Sequence, residues 1–368
     1  MSSTELKKNG NSNGVSSQLI ARDLRSGITA GTLAPGAQLP TRLELESKYG
    51  TTSVTIQRAL DRLVRDEFIY VNGRRGTYVS ANPPHLSRYA LVFRHDPDGD
   101  REIWTCFYSA LNNQATRLQR RDERNISSYM AVDGHIDSPN YTKLLEEIAA
   151  ERLAGIVFVD GGYGLENSPL YTTPSLPKVA IGVIDAENCT SLLLNEDSFI
   201  ERALDHFEEQ GRKRLAIISH RQFDSDFCTA LLKAAHRRGF VNYPYWNQVC
   251  FVGQSPAARS QAHLLMKCVE RPDALLITDD NFVEHATAGL VEARARVPHD
   301  IEVVAHANFP EPTTSVVPAR RLGYDTVKVL EAAIASIDAR RRGEKVAQSE
   351  TIDAVFAEET ETLRLSQR

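Results

Sequence analysis

The chain has 368 residues and a formal net charge of −5, from 43 Lys and Arg against 48 Asp and Glu. This length suffices for two or three domains with sizeable cores, and the acidic balance excludes a chain that is basic throughout. The charge is unevenly distributed, however. Residues 1–80 contain 11 basic and 7 acidic side chains, a balance of +4, which leaves −9 for the remainder. A basic segment on an acidic body is typical of a nucleic-acid-binding module.

The N-terminal residues 1–14 are polar, and they predict a disordered tail without the apolar segment of a secretory signal. No run of 18 apolar residues is present, so we expect neither a membrane span nor a membrane partner. The five cysteines lack C-x-x-C spacing, which favours free, mostly buried thiols over a metal site. We therefore expect a cytoplasmic protein that carries no metal or cofactor.

Residues 15–80 show the pattern of three helices followed by a hairpin. A first helix is predicted by apolar residues at four-residue spacing, namely Ile20, Leu24 and Ile28. Thr41 and Glu44 have the spacing of a capping box, in which each side chain satisfies an amide of the first helical turn. They predict the start of a second helix, which Gly50 is suited to end.

A third helix is predicted to begin with Thr52 or Ser53 as its cap and to run to about Asp66. Its core face carries apolar residues at helical spacing: Ile56, Leu60 and Leu63. The opposite face presents hydroxyl, methyl, amide and guanidinium groups in its first turns. Gln can hydrogen-bond adenine, Arg can hydrogen-bond guanine, and methyl groups can contact thymine, so this face suits a DNA major groove.

A hairpin is predicted over residues 68–79, with strands at 68–71 and 77–79 and with Asn72-Gly73 as a tight-turn signal. Arg74 and Arg75 lie at its tip, where a narrow basic loop suits phosphate or minor-groove contact. The alternative is a structural or protein-binding domain whose arginines are simply solvated. The residues that we predict to contact DNA are Arg42, Thr52, Ser53, Val54, Thr55, Gln57, Arg58, Arg74 and Arg75.

The order and spacing of these signals resemble the DNA-binding domain of the GntR family of bacterial transcription regulators. The matching residues are Pro35-Gly36, Leu39-Pro40, Glu44-Leu45, Gly50, Thr55-Ile56, Ala59-Leu60, Leu63 and Gly76-Thr77-Tyr78-Val79. The resemblance implies a winged helix-turn-helix. The family usually has Arg at the positions of Ser53 and Gln57, and Glu at the position of Arg42. The resemblance therefore implies the groove geometry but not the operator sequence.

A short linker is predicted over residues 81–88, because two adjacent prolines stiffen the chain there. Beyond it, strand-like and helix-like segments alternate, which predicts parallel sheets covered on both faces. Two such sets predict a second domain over 89–365 with two lobes facing each other. The predicted lobe boundaries are about 89–186 and 309–343 for the first lobe, and about 187–308 and 344–365 for the second.

Polar residues follow many of the predicted strands. Ligands of open parallel sheets lie outside the carboxyl ends of the strands, so these residues predict a binding cleft. Carboxylates and amides beside aromatic planes suit a polyhydroxylated ligand; the alternative is that they cap helices or form solvated turns. The predicted ligand-site residues are His95, Asp96, Trp104, Asp133, Asp160, Tyr163, His220, Arg221, Phe227, Asp280 and Asn308.

The second domain resembles the sugar-sensing domain of LacI/GalR-type repressors, which is built like a periplasmic binding protein. The matching stretches are residues 206–218, 271–280, 297–304, 314–317 and 322–330. Asp280 falls on an Asp that often contacts sugar hydroxyls in those proteins. Phe227 replaces a usual Arg, Asn195 replaces a usual Asp, and a further usual Asp aligns near Asn308. A modified sugar or a ligand of another class therefore stays open. The resemblance also implies that helices over 104–118 and 283–294 form a dimer face.

The predicted fold class is an α+β winged helix-turn-helix head joined to an α/β, two-lobed, periplasmic-binding-protein-like type I domain. The predicted function is a ligand-responsive, sequence-specific transcription regulator. We expect a homodimeric repressor whose partners are double-stranded operator DNA and a small, sugar-like effector. The alternatives are a cytosolic small-molecule-binding protein and an enzyme with a regulatory DNA-binding head. No protease, hydrolase or P-loop motif is present, and no suitable Schiff-base lysine supports an aminotransferase-like body.

Overall fold

The computed structural model describes residues 16–100, 103–121, 124–135, 138–161, 164–165, 167–183 and 189–360. The predicted tail over 1–14 lies outside these ranges. The chain divides into two units by its internal contacts. The first contains residues 16–88 and the short segment 149–154, and the second contains the other described residues from 89 to 360.

The first unit consists of three helices, a two-stranded sheet and a one-turn helix. The elements are α1 (Ser17–Thr29), α2 (Arg42–Tyr49), α3 (Ser53–Arg65), β1 (Ile69–Val71), β2 (Thr77–Val79) and α4 (Pro84–Ser87). The predicted capping box of α2 is confirmed, since Thr41 accepts a hydrogen bond from the Glu44 amide and the Glu44 side chain accepts one from the Thr41 amide. Gly50 ends α2 in the left-handed conformation with φ of 59°, which glycine adopts without strain.

A single apolar core holds the first unit together. Its buried side chains come from α1, α2 and α3, from β2 and from the residue before β1: Ile20, Leu24, Leu45, Ile56, Leu63, Phe68 and Val79. Arg25 is also buried, and its guanidinium donates to the Asp66 carboxylate at 2.6 Å. Since a buried charge is tolerated only when paired, this ion pair fixes the end of α3 against α1.

The hairpin has its two strands where they were predicted. Five residues, 72–76, connect the strands, and the Asn72 amide donates to the Gly76 carbonyl at 2.9 Å. The register pairs Val71 with Thr77, which leaves room for a short 3₁₀ turn that carries both arginines. The segment 81–88, predicted as a linker, contains α4, because Pro84 occupies the first helical position, where a proline needs no amide donor.

The second unit contains two six-stranded sheets. The first sheet has the strand order β13-β7-β6-β5-β3-β4, and the second has the order β14-β12-β11-β10-β8-β9. The strands of the first sheet are β3 (Arg88–Val92), β4 (Asn125–Tyr129), β5 (Gly155–Phe158), β6 (Lys178–Ile181), β7 (Cys189–Asn195) and β13 (Ser349–Asp353). Those of the second are β8 (Leu215–Ser219), β9 (Asn247–Val249), β10 (Ala274–Ile277), β11 (Glu302–Phe309), β12 (Arg320–Asp325) and β14 (Val355–Phe356).

Helices connect the strands of both sheets. They are α5 (Cys106–Arg121), α6 (Pro139–Ala149), α7 (Pro169–Thr172), α8 (Glu196–Glu209), α9 (Asp226–Arg237), α10 (Ala257–Leu265), α11 (Val283–Glu292) and α12 (Thr326–Arg341). The second sheet is buried on both faces. Leu215 and Ile217 pack with residues of α8 and α9, whereas Ala216 and Ile218 pack with residues of α10 and α11. This alternation is that of a strand covered by helices on each side, so the polar groups of the sheet are confined to its ends.

The predicted lobe boundaries are wrong in three places. β7 and β13 belong to the first lobe rather than the second, because β7 pairs in parallel with β6 and with β13. β12 belongs to the second lobe, because it pairs with β11 from Val304↔Arg320 to Phe309↔Asp325. The chain therefore crosses between the lobes three times, at 195–196, at 325–326 and at 353–354. We call these three places the crossovers.

The five cysteines all lie in the described ranges, and none of them forms a disulfide. Cys189, Cys228 and Cys250 are buried, as predicted. Over the same ranges, no helix combines the length and the apolar character that crossing a membrane would require.

Candidate functional site

The second unit has a cavity of about 220 Å³ at the carboxyl ends of the strands of its second sheet. His220 follows β8, Asp280 follows β10, and Asn308 lies near the end of β11, so three parallel strands deliver polar side chains to one edge of the sheet. Thr105 and Phe107, at the start of α5, line the cavity from the first lobe. We call this cavity, between the two lobes, the first chamber.

A buried pair of polar side chains forms one wall of the first chamber. The Asn308 amide donates from Nδ2 to the Asp280 carboxylate at 2.6 Å, and both side chains are almost fully buried. The other end of the amide, Asn308 Oδ1, has no hydrogen-bond partner among the described residues. A buried acceptor without a donor costs roughly 1–3 kcal/mol, so this oxygen is suited to receive a hydroxyl of a ligand.

A second pair holds His220 against Asp279, with 2.9 Å between Nδ1 and the carboxylate. Burial by itself would raise the pKa of Asp279, but the hydrogen bonds from His220 and from the Asn281 amide hold that pKa below its ordinary value. Asn281 also accepts a hydrogen bond from the Cys106 amide at 3.0 Å, which connects the second lobe to the start of α5 in the first. Asp279 thus orients the groups around the first chamber and stays ionised itself.

Aromatic rings form another part of the wall. The guanidinium of Arg221 lies 4.9 Å from the centre of the Phe227 ring, a cation–π contact, and it also pairs with the Glu196 carboxylate at 2.6 Å. The Phe199 ring packs 6.5 Å from that of Phe227. Together with Tyr324, these rings provide flat apolar surfaces, which suit the apolar face of a ring-shaped ligand.

A separate polar cluster lies in the first lobe. The Tyr108 hydroxyl donates to both oxygens of Asp160, at 2.8 and 3.0 Å. Burial raises the pKa of Asp160 above its ordinary value, although the hydrogen bond from Tyr108 opposes that shift. The rings of Phe93, Trp104 and Tyr108 pack against one another, with centres 5.2 to 5.9 Å apart. This partly buried carboxylate beside three aromatic rings is a second place where a hydroxyl-bearing ligand would find partners.

In the first unit, α3 separates an apolar core face from a polar exposed face. Ile56, Leu60 and Leu63 are buried, whereas Ser53, Val54 and Arg58 are exposed. Thr55 and Gln57 are partly buried on the same side. Gln57 donates from Nε2 to the Asp61 carboxylate at 2.6 Å, one helical turn further on. This bond holds the Gln57 side chain in a fixed orientation in the free protein, with its Oε1 buried and without a hydrogen-bond partner among the described residues.

The loop between β1 and β2 projects two exposed arginines, Arg74 and Arg75. The carbonyl of Arg75 accepts hydrogen bonds from Gln38 Nε2 at 3.0 Å and from the Tyr78 hydroxyl at 3.1 Å. Gly76 has φ of 120°, and a Cβ atom there would lie 2.6 Å from Gln38 Nε2. Glycine is thus needed at this position, and the anchored backbone leaves both guanidinium groups in solvent.

Two family comparisons match the two parts of this structure. Residues 16–79 match the family described as bacterial regulatory proteins, gntR family. Residues 204–352 match the periplasmic binding protein-like domain. The chain carries a GntR-family head followed by a periplasmic-binding-protein-like body. The predicted fold class is confirmed.

Individual relatives match either most of the chain or a shorter segment of it. The chain is 21% identical over 373 residues to the arabinose metabolism transcriptional repressor of Geobacillus stearothermophilus, covering 90% of this chain and 95% of that protein. The mannosyl-D-glycerate transport/metabolism system repressor MngR of Escherichia coli is 31% identical over 86 residues. That match covers 23% of this chain and spans only 36% of the relative's length.

Solved structures resemble the body. A LacI family transcriptional regulator from Lactobacillus casei with bound sucrose has a TM-score of 0.54 and 16% identity, covering 73% of this chain and 98% of that one. A putative LacI regulator from Bacillus cereus subsp. cytotoxis has a TM-score of 0.55 and 14% identity, covering 73% and 96%. At these identities, the likeness establishes the fold alone.

The structure brings only some of the predicted ligand-site residues of the periplasmic-binding-protein-like body together. Five line the first chamber: His220, Arg221, Phe227, Asp280 and Asn308. Trp104 and Asp160 instead belong to the first-lobe cluster around Tyr108. Tyr163 lies outside the described residues.

The remaining three predicted ligand-site residues stabilise turns. Asp96 accepts hydrogen bonds from the amides of Asp98 and Gly99, at 2.7 and 3.3 Å. His95 lies 3.4 Å from the Asp100 carboxylate, and Asp133 accepts from the His135 amide at 3.0 Å. These contacts are those of polar turns, and none of the three residues lines the first chamber.

Several residues that line the first chamber were not predicted. Thr105, Phe107, Leu194, Glu196, Phe199, Thr278 and Tyr324 line the first chamber but were not among the predicted ligand-site residues. Glu196 and Tyr324 lie beside the first two crossovers. Their position depends on the pairing of β7 and β12, which follow no marked alternation in sequence. The pattern Leu322-Gly323-Tyr324, within a stretch that resembles LacI-type proteins, was the one signal that pointed to Tyr324.

The predicted DNA-binding residues of the GntR-family head lie on α3, beside it, or on the β1–β2 loop. Arg42 is exposed at the start of α2. Thr52 precedes α3 as its cap residue, although its hydroxyl contacts that of Thr55 at 3.1 Å rather than a backbone amide. The structure thus gathers hydroxyl, amide and guanidinium groups at the N-terminal end of one exposed helix.

Proposed function

We propose that this protein is a ligand-responsive, sequence-specific DNA-binding transcription regulator, and that it acts as a repressor. The observation that carries the proposal is the exposed polar face of α3 within a head that matches the gntR family over residues 16–79. The net positive charge of residues 1–80 supports it, because phosphate neutralisation supplies most of the affinity of such modules. Two relatives are named as repressors, which favours repression over activation.

In this proposal, α3 enters the major groove with its N-terminal turns against the base edges. Ser53, Val54, Gln57 and Arg58 would contact bases, with Thr52, Thr55 and Arg42 beside them. Arg74 and Arg75 would contact phosphates or the minor groove. The Gln57 and Arg58 side chains would select bases, whereas the two loop arginines would strengthen binding to every sequence alike.

The effector proposed for the body is a small polyhydroxylated molecule, a sugar or a sugar derivative. The free acceptor Asn308 Oδ1 and the neighbouring Asp280 carboxylate favour hydroxyl donors. The rings of Phe199 and Phe227 favour a cyclic ligand with an apolar face. Relatives point the same way: one is an arabinose metabolism repressor, and a structural neighbour holds sucrose.

Regulation would follow from a change between two states of the body. An effector shifts such an equilibrium only when it binds the two states with different affinity. We propose that the protein works as a cytoplasmic homodimer whose two heads bind the half-sites of a pseudo-palindrome. The helices α5 and α11 are the proposed dimer face. We propose neither an enzymatic activity nor a cofactor.

The first test is binding of the full chain to a random duplex, measured by fluorescence anisotropy across a salt series. We expect affinity to fall steeply as salt rises, and we expect Arg74→Ala/Arg75→Ala to reduce the slope of that dependence by about the contribution of two phosphate contacts. A matched variant, Lys345→Ala, changes one exposed charge of the body and should leave the slope unaltered. Absence of binding even at low salt would refute a DNA-binding function.

A second test addresses the effector. Operator sequences selected from a random duplex library serve as the probe, and release of the full chain is measured with a panel of sugars and sugar acids. We expect at least one compound to raise the melting temperature by mass action and to change operator affinity. A compound that binds without changing operator affinity would argue against regulation by that site.

A further inference from the structure

A second cavity, of about 510 Å³, adjoins the first chamber. It lies where β6 ends and where β7 crosses to α8, and Thr351 of β13 closes one side of it. Leu194, Glu196 and Arg221 line both cavities. We call this cavity the second chamber.

The boundary between the two chambers includes an ion pair beside Leu194. Arg221 and Glu196 are joined at 2.6 Å, and their side chains are 39% and 42% exposed. Exposed ion pairs contribute only about 0–1 kcal/mol, so a ligand can displace or bridge this one at little cost. Both side chains can therefore form hydrogen bonds with groups on either side of the boundary.

The second chamber combines apolar surface with hydrogen-bonding groups. Ile181, Val183 and Leu194 supply apolar surface, and Val183 is 75% exposed. Thr351 offers one hydroxyl, and the exposed Asp197 offers one carboxylate. Apolar surface beside such groups suits a second ring or an aglycone, which has an apolar face and polar substituents.

The sizes of the chambers favour the same interpretation. Ligand pockets commonly have volumes of about 300–1,000 Å³, and the first chamber, at about 220 Å³, is smaller than that. The second chamber, at about 510 Å³, lies within that range, so a ligand that begins in the first chamber finds the additional room next to it. A ligand confined to the first chamber would leave the apolar surface of Val183 in water.

We propose that the effector is a two-unit ligand, a neutral disaccharide or glycoside. Its first unit occupies the first chamber, and its second unit lies in the second chamber over Val183 and Thr351, with Arg221 and Glu196 contacting the link between the units. This proposal rests on the proposed function, since it specifies the ligand class of the same effector site.

The test compares monosaccharides with disaccharides that contain them: glucose with sucrose and maltose, galactose with lactose, and arabinose with arabinobiose. Affinities of the full chain are measured by calorimetry. We expect at least one disaccharide to bind about tenfold or more tightly than its monosaccharide, a difference of about 1.4 kcal/mol. Thr351→Trp fills the second chamber from an exposed strand position and should abolish this advantage while leaving the monosaccharide affinity within about twofold.

Two further variants complete the design. Val183→Trp fills the same chamber from the opposite side and replaces Thr351→Trp if that variant fails to fold. Ser349→Trp places the same ring on the same exposed strand, outside the second chamber, and should change neither affinity. Equal affinity for each monosaccharide and its disaccharide, or a disaccharide advantage that survives both filling variants, would overturn the two-unit ligand while leaving a sugar effector intact. Binding of no sugar at all would overturn the sugar-like effector, and this proposal with it.

Discussion

The side-chain amide of Asn195 donates a hydrogen bond to the carboxylate of Asp353, with 2.6 Å between Nδ2 and Oδ1. This bond joins the first crossover to the third. The Tyr324 hydroxyl, beside the second crossover, donates to the Asn195 carbonyl at 3.1 Å. All three connections between the lobes therefore meet at Asn195, and any change in the angle between the lobes must bend the chain close to this residue.

Replacing Asn195 by Asp should weaken the structure at the crossovers. Asn195 Oδ1 also accepts from the Ser198 amide as the cap of α8, and an Asp side chain keeps that role while placing a second carboxylate against Asp353. We expect Asn195→Asp to lower the free energy of unfolding by about 0.5–1.5 kcal/mol, measured by urea denaturation. The exchanged pair, Asn195→Asp with Asp353→Asn, restores one donor and one acceptor and should recover most of the loss. A double variant as unstable as the single one would contradict the proposed role of this bond.

Arg75→Ala should reduce binding to all DNA sequences by a similar factor. Its guanidinium is exposed on a loop whose backbone is anchored by Gln38 and Tyr78, so the substitution removes a phosphate contact without moving the loop. The slope of log affinity against log salt concentration should decrease by about the contribution of one phosphate contact. Fluorescence anisotropy with the selected operator and with a random duplex measures both effects. Greater loss on the operator than on the random duplex would mean that Arg75 contacts a base.

Gln57→Ala should relax base preference at one operator position, with a loss of discrimination of about 1–3 kcal/mol. Asp61→Ala should alter preference at the same position, because the carboxylate of Asp61 holds Gln57 Nε2 in the free protein. Selection from a random duplex library followed by sequencing reads out both changes. If both variants keep the parental preference, α3 is docked in another orientation than the one proposed here. Arg75→Ala provides the contrast, with weaker binding and unchanged preference.

The head was predictable from its sequence because its signals are local. The capping box at Thr41 and the left-handed Gly50 each depend on a few adjacent residues. The strands of the body that appear as continuous apolar runs, such as β8 and β10, were also predicted. β7 and β13 were not, since they begin with polar residues and β13 is exposed along most of its length.

The same contrast explains which parts of the first chamber were found. His220, Asp280 and Asn308 lie at strand ends, where a general rule for parallel sheets applies. Glu196 and Tyr324 reach the first chamber because β7 and β12 pair with strands distant in sequence. Long-range pairing of that kind sets the lobe boundaries as well, and no local periodicity encodes it.

His220→Ala should destabilise the body at neutral pH, because it removes one partner from the buried carboxylate of Asp279. We expect a loss of about 1–3 kcal/mol in the free energy of unfolding. Burial by itself would raise the pKa of Asp279 above its ordinary value of 3.8, but the contact with His220 holds that pKa below 3.8. A carboxyl group with a lowered pKa stabilises the folded protein above its ordinary pKa, and this stabilisation is lost as pH falls. The difference in stability between parent and variant should therefore persist at neutral pH and shrink only in acid. His135→Ala, at an exposed turn, is the control and should change stability little. A constant difference at all pH values would indicate lost packing rather than a lost charge interaction.

Asp160→Asn should stabilise the protein near neutral pH. Burial raises the pKa of Asp160 above its ordinary value of 3.8, against the hydrogen bond from Tyr108. Because the pKa of Asp160 is raised, this group favours the folded protein most at a pH below 3.8. That stability is lost as pH rises and the partly buried carboxyl group ionises. An Asn side chain still accepts from the Tyr108 hydroxyl but carries no charge. We expect a gain of about 1 kcal/mol near pH 7, or roughly 2–4 °C in melting temperature, that shrinks as pH falls towards 4.

Tyr108→Phe provides the comparison for this substitution. It removes the donor and leaves the Asp160 carboxylate partly buried with one hydrogen-bonding group fewer, so it should lower the melting temperature near pH 7, where Asp160→Asn raises it. Thermal unfolding of both variants across a pH series distinguishes the cases. If Asp160→Asn is less stable than the parent near pH 7, the carboxylate is a structural partner of Tyr108. If it is more stable and binds the effector more weakly, Asp160 is retained for the ligand at a cost in stability.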